Sequence, residues 1–174
     1  MLQNVPLKIF LIGLMGSGKS YWGRQLATHF HYPFLDLDKG VEMAEMKTVA
    51  EIFETKGEAY FREKESEILH SLTSYDKFVL SCGGGAPCFH GNMDWMLQHG
   101  IIVWLHPPLS VLAERLMVGK EKRPLLKNAH TKADIEKTME VQQQARASFY
   151  EKAHYIITDP NPSVKTFEKI LQHA

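Results

Sequence analysis

The feature that most restricts this chain is the run from Lys8 to Ser20, KIFLIGLMGSGKS. A short continuous apolar stretch leads directly into Gly13-Leu-Met-Gly-Ser-Gly-Lys19-Ser20, which satisfies G-x-x-x-x-G-K-[ST]. Such a loop works when a strand delivers it and a helix leaves it. Its glycines then let backbone N–H groups turn inward around phosphate oxygens, and the helix N-terminus adds partial positive charge. Lys19 is expected to reach the β- and γ-phosphates and the Ser20 hydroxyl to ligate Mg²⁺, so the implied ligand is a nucleoside triphosphate, ATP first. Gly16, Ser17, Gly18, Lys19, Ser20 and Tyr21 are its expected contacts. Tyr21 is expected to act through its backbone N–H, with the ring packed beside the loop.

Further apolar runs follow at PFLDLD (33–38), FVLSC (78–82), IIVWLH (101–106) and HYIIT (154–158). Continuous runs of this length, separated by helix-like segments, indicate strands buried on both faces of a parallel sheet, hence an α/β class with helices on both sides. TVAE (48–51) has the form of a capping box, Gly57 suits a helix stop, and a helix from about Glu58 sets Arg62 and Glu65 one turn apart. VGKEKRPLLKNAHT (118–131) lacks helical periodicity and reads as a functional loop, a lid.

At 174 residues the chain fits one domain. Twenty basic and twenty acidic side chains cancel. That balance argues against a nucleic acid or an anionic membrane as partner and makes any anion binding local. The two cysteines, Cys82 and Cys88, have no zinc or C-x-x-C spacing, and no run is long enough to span a bilayer. A reduced, cytoplasmic protein is expected. His29 and His31 read as surface or turn residues rather than metal ligands.

The carboxylate that usually follows a later strand in such proteins is missing, because FVLSC runs straight into Gly83-Gly84-Gly85. Asp36 and Asp38 take its place as candidates; at a strand's carboxyl end, alternation would turn both toward the phosphates. The glycines at 83–85 form a second anion-friendly segment. Arginines number only five, and Arg62 and Arg146 either form ordinary surface ion pairs or converge on one substrate carboxylate. Spacing alone leaves both open.

GLMGSGKS, DLD, IFETKGEAYFREKE, GGG, RPLL and RASFYEKA, in this order from about Lys8 to Leu171, resemble the shikimate kinases among the nucleoside-monophosphate-kinase-like P-loop proteins. The resemblance implies a three-layer fold with a five-stranded parallel sheet, a small substrate-binding subdomain at about 39–67 and a lid at about 118–131. It implies Asp38 as the base on the substrate hydroxyl, Ser20 on Mg²⁺ directly and Asp36 on it through water. Arg62, Arg146 and Gly84 would hold shikimate, with both arginines on its carboxylate. Arg123 would close on the ATP phosphates, and Arg115 and Pro162 would border adenine. The implied reaction is ATP-dependent phosphorylation of the 3-hydroxyl of shikimate by a monomer, a step toward chorismate and the aromatic amino acids. A kinase of another small hydroxy acid such as gluconate, or a non-catalytic ATP-binding module, is the alternative. Met46, Tyr21 and Ser148 depart from the family pattern, where Gly, Thr and Pro are common.

Overall fold

The structure, a computed structural model, describes residues 7–118, 126, 129 and 131–172. Its five strands are β1 (Lys8–Ile12), β2 (Phe34–Asp36), β3 (Phe78–Ser81), β4 (Ile101–Leu105) and β5 (Tyr155–Ile157). They form one parallel sheet in the order β2-β3-β1-β4-β5. The helices are α1 (Lys19–Phe30), α2 (Leu37–Glu45), α3 (Val49–Ser71), α4 (Asn92–His99), α5 (Leu109–Met117), α6 (Lys132–Tyr150) and α7 (Val164–Leu171).

The apolar runs are continuous because both faces of the sheet are covered. Alternate residues of β1 enter different cores: Ile9 and Leu11 pack with Leu26, Phe30 and Phe167 of α1 and α7. Phe10 and Ile12 pack on the other face with Leu69, Met93, Leu112, Met139 and Tyr150 of α3 to α6. The side chains of Ile9 to Ile12 are thereby removed from water on one side or the other, at roughly 25 cal/mol per Å² of apolar surface. Trp104 lies in the second of these cores. His29 meets Glu168 of α7 at 2.7 Å.

The helix signals act as read. Thr48 accepts from the Glu51 N–H at 3.3 Å while the Glu51 carboxylate accepts from the Thr48 N–H at 2.8 Å, closing the capping box. α3 breaks at Gly57, whose φ of 83° and ψ of 171° interrupt the helix between its two halves. Both halves and α2 contribute to a third, small apolar cluster of Val41, Ile52 and Phe61.

The strand order sets β3 beside β1 and β2 beside β3, so the carboxyl ends of three adjacent strands carry GLMGSGKS, DLD and GGG. Leu11, Ser81 and Asp36 lie in one row across them. Ligands of open α/β sheets gather at this edge.

Candidate active site

Over these strand ends lies a cavity of about 790 Å³. It is walled by Gly16, Gly18, Lys19, Ser20 and Tyr21 of the first loop, Asp36 and Asp38, Arg62 of α3, Gly83 to Gly85, and Arg146 of α6. Residues scattered over more than a hundred positions of sequence are brought together here.

The loop is wound as a cradle. Gly18 precedes α1 in a left-handed conformation, φ 96°, without a side-chain cap. Such a helix start offers its first N–H groups to an anion. Lys19 donates to the carbonyls of Gly13 and Leu14, both at 2.9 Å, and its burial lowers its pKa to about 8. An ammonium held this dry gains more from an arriving phosphate than one in water. Ser17 faces the other way: its N–H is bonded to the Leu14 carbonyl at 3.2 Å and its buried Oγ has no partner. It shapes the loop from beneath and is absent from the cavity wall.

Ser20 Oγ donates to Asp36 Oδ2 at 2.8 Å and lies 3.1 Å from Ser81 Oγ. Three hard oxygen donors together suit Mg²⁺, which binds few protein oxygens and completes its shell with water and phosphate. The placing of the two aspartates differs from the expected alternation. Only Asp36 belongs to β2, and it also caps α2 by accepting from the Lys39 N–H at 3.3 Å; Asp38 stands in the first turn of that helix. Both still line the cavity, because a tight strand-to-helix junction also returns the second carboxylate to the strand end.

Asp38 and Glu65 flank Gly83. A Cβ there would lie 2.7 Å from Asp38 Oδ1 and 2.5 Å from Glu65 Oε1, so a larger residue would have to displace a carboxylate. Burial, then the charge of Asp36, raises the Asp38 pKa. Glu65 is fully buried with Oε1 unpartnered, and desolvation outweighs the pull of Arg62 to lift its pKa to about 7. Arg62 donates from Nε and Nη2 to Glu58 Oε1 at 3.1 and 3.0 Å and from Nη1 to Glu65 Oε2 at 2.8 Å. Of the five N–H groups of a guanidinium these use three, leaving one on each terminal nitrogen, the pair that a carboxylate accepts.

Gly84 and Gly85 show why the triple glycine is small throughout. A Cβ on Gly84 would lie 3.0 Å from Arg146 Nη1, and one on Gly85 would overlap Arg62 Nη2. Sequence reasoning assigned no role to Ser81, which meets Ser20, or to Tyr150, which donates to the Gly84 carbonyl, although both lie in the segments FVLSC and RASFYEKA. It also singled out only the middle glycine of three.

A second cavity of about 490 Å³ adjoins the loop and is lined by Gly16, Gly18, Tyr21, Trp22, Arg115, Pro160, Asn161 and Pro162. Arg115 donates to the carbonyls of Gly16 and Pro160 at 3.3 and 2.5 Å, so the two expected adenine neighbours, Arg115 and Pro162, do share one wall. Tyr21 borders both cavities and is 59% exposed, its ring packed edge-on to Trp22 at 5.1 Å. Arg123 and most of the expected lid at 118–131 lie outside the described residues.

A family model described as shikimate kinase matches residues 15–174. A shikimate kinase of Bacteroides fragilis is 42% identical over 150 residues, covering 86% of this chain and 83% of that one. Among solved structures, shikimate kinase from Bacteroides thetaiotaomicron superposes with a TM-score of 0.85 at 37% identity, covering 97% of this chain and 96% of that one. A shikimate kinase from Acinetobacter baumannii, solved in complex with shikimate, gives 0.83 at 35% identity, covering 95% and 91%.

Proposed function

The chain belongs to the shikimate kinase family, and from that membership and the site we infer that it transfers the γ-phosphoryl group of ATP to the 3-hydroxyl of shikimate, releasing ADP. The observation that carries this reading is the convergence of Arg62, Arg146 and Gly84 with Asp38 on the cavity that also receives Lys19.

Phosphoryl transfer asks the protein chiefly to position the reactants and to neutralise charge. Lys19 meets the β- and γ-phosphates in the cradle, and Tyr21 serves them through its backbone. The second cavity, with Arg115 and Pro162, receives the adenine. Arg62 presents its two remaining N–H groups to the substrate carboxylate, and Arg146, against Gly84, approaches from the opposite element. With the carboxylate so fixed, Asp38 aligns the 3-hydroxyl and accepts its proton, a task suited to a carboxylate whose pKa burial has raised. Ser20 would hold Mg²⁺ directly and Asp36 through water; the bound ion screens the phosphate charge. The family resemblance assigns Arg123, which lies outside the described residues, to the ATP phosphates.

We assign the segment at about 39–67 as the substrate-binding subdomain, supported by its separate apolar cluster and by Arg62 at its end. Both cysteines are free, and no helix among the described residues is long and apolar enough to cross a membrane, in keeping with a cytoplasmic enzyme.

The test is ADP release measured by a coupled assay with Mg²⁺ and shikimate, gluconate or no acceptor. Turnover with shikimate alone is expected. Equal rates without it, or preference for gluconate, would overturn the reading.

A further inference from the structure

Arg62 can grip a carboxylate only if its guanidinium keeps one direction, and its two ion-pair partners act within the guanidinium plane. Two aromatic rings present their π faces to it: the Cζ atom lies 5.1 Å from the ring centroid of Phe61 and 4.9 Å from that of Phe89. Phe61 is buried in the small apolar cluster, so packing explains it. Phe89 is different. It remains 38% exposed although large and apolar, and it lines no part of the cavity wall.

The placement of Phe89 is held by a buried polar chain. Its carbonyl accepts from the Asn92 N–H at 2.9 Å. The fully buried Asn92 side chain donates from Nδ2 to the Ala86 carbonyl at 2.9 Å and accepts from Ser66 Oγ at 2.8 Å. Ser66 stands one turn after Arg62 on α3, so the turn bearing Phe89 is tied to the same helix face that bears the arginine. The start of that turn, Gly85, lies against the face of the guanidinium.

We propose that Phe89 is a positioning residue for substrate recognition: its ring, fastened to α3 through Asn92 and Ser66, holds the Arg62 guanidinium with its π face in the orientation that receives the shikimate carboxylate. This rests on the reading of Arg62 as a carboxylate ligand. A ring over the cation adds an attraction that strengthens as water is excluded and resists rotation out of the plane set by Glu58 and Glu65.

The experiment compares Phe89→Leu, which keeps apolar bulk but removes the π face, with Phe89→Tyr, which keeps both. The leucine variant is expected to raise the KM for shikimate about threefold to tenfold. Its kcat, its KM for ATP and its thermal midpoint should stay those of the wild type, and tyrosine should restore the shikimate KM. An unchanged shikimate KM in the leucine variant would overturn the proposal. So would a parallel loss of kcat, both KM values and the folding transition, which marks a structural residue. A wild-type protein without shikimate-dependent turnover would instead remove the reading of the site, and the proposal with it.

Discussion

The hydroxyl of Tyr150 donates to the carbonyl of Gly84 at 2.5 Å, joining the end of α6 to the middle of the triple glycine. Tyr150 is fully buried and stands one turn beyond Arg146, so a single helix face both supports the Gly84 backbone and directs an arginine past it. Tyr150→Phe leaves that carbonyl without its partner. We expect a stability loss of about 1–2 kcal/mol by denaturant unfolding, together with a raised KM for shikimate and an unaltered KM for ATP. Equal changes in the two KM values would show that the bond serves the whole site rather than the substrate side.

Gly83→Ala places a methyl group between Asp38 and Glu65, within 2.7 and 2.5 Å of their oxygens. One of the two carboxylates must yield. Displacing the proposed base by even an ångström is expected to lower kcat/KM for shikimate by about a hundredfold or more. ATP binding by calorimetry should persist, since the cradle is untouched. A variant of near wild-type activity would show that neither carboxylate's position matters.

Lys19 carries a pKa of about 8 in the empty cradle because burial penalises its charge. ATP phosphates favour the charged form and raise that value, so above about pH 8 binding must take up a proton. The affinity for ATP is therefore expected to weaken as pH rises past 8, approaching tenfold per unit, and to be insensitive to this group below about pH 7. Calorimetry in two buffers of different ionisation enthalpy would reveal the proton. A dissociation constant that does not change between pH 7 and 9.5 would refute the assignment.

Met46 ends α2 in the left-handed region, φ 51° and ψ 34°, with 91% of its surface exposed. A side chain with a Cβ is strained there and contributes almost no packing. Met46→Gly is expected to stabilise the fold by about 1 kcal/mol, seen as a higher denaturant midpoint with an unchanged slope. A lower midpoint would mean that the gain in unfolded-chain freedom exceeds the relieved strain.

Tyr21 takes the place of the threonine common in the family, and its ring leans on Trp22 at the border of the two cavities. If its backbone N–H serves the phosphate as proposed, Tyr21→Thr should alter ATP affinity by less than about tenfold, or roughly 1.4 kcal/mol. A larger gain would show that the phenol obstructs the nucleotide.

Much of this was legible from local chemistry. A strand entering G-x-x-x-x-G-K-S, a Thr48–Glu51 box and an Arg62–Glu65 pair are patterns of neighbours one to eight residues apart, and backbone geometry alone brings such neighbours together. The D-x-D segment was read correctly as part of the cavity but for the wrong local reason, because the strand ends at Asp36 and the helix begins at Leu37. An aspartate that caps a helix and one that faces a metal are the same sequence signal, and here Asp36 does the first while touching Ser20.

By itself, then, the sequence determined the class of fold, the nucleotide cradle and the family whose motifs it carries. Only the tertiary structure decided that Gly83 lies against two carboxylates, that Tyr150 supports Gly84, and that Arg62 lies over the Phe89 ring. Those contacts join residues that share no periodicity. They exist because the strand order lays β3 beside β1 and the packing of α3, α4 and α6 on one face closes their side chains around the loop that follows.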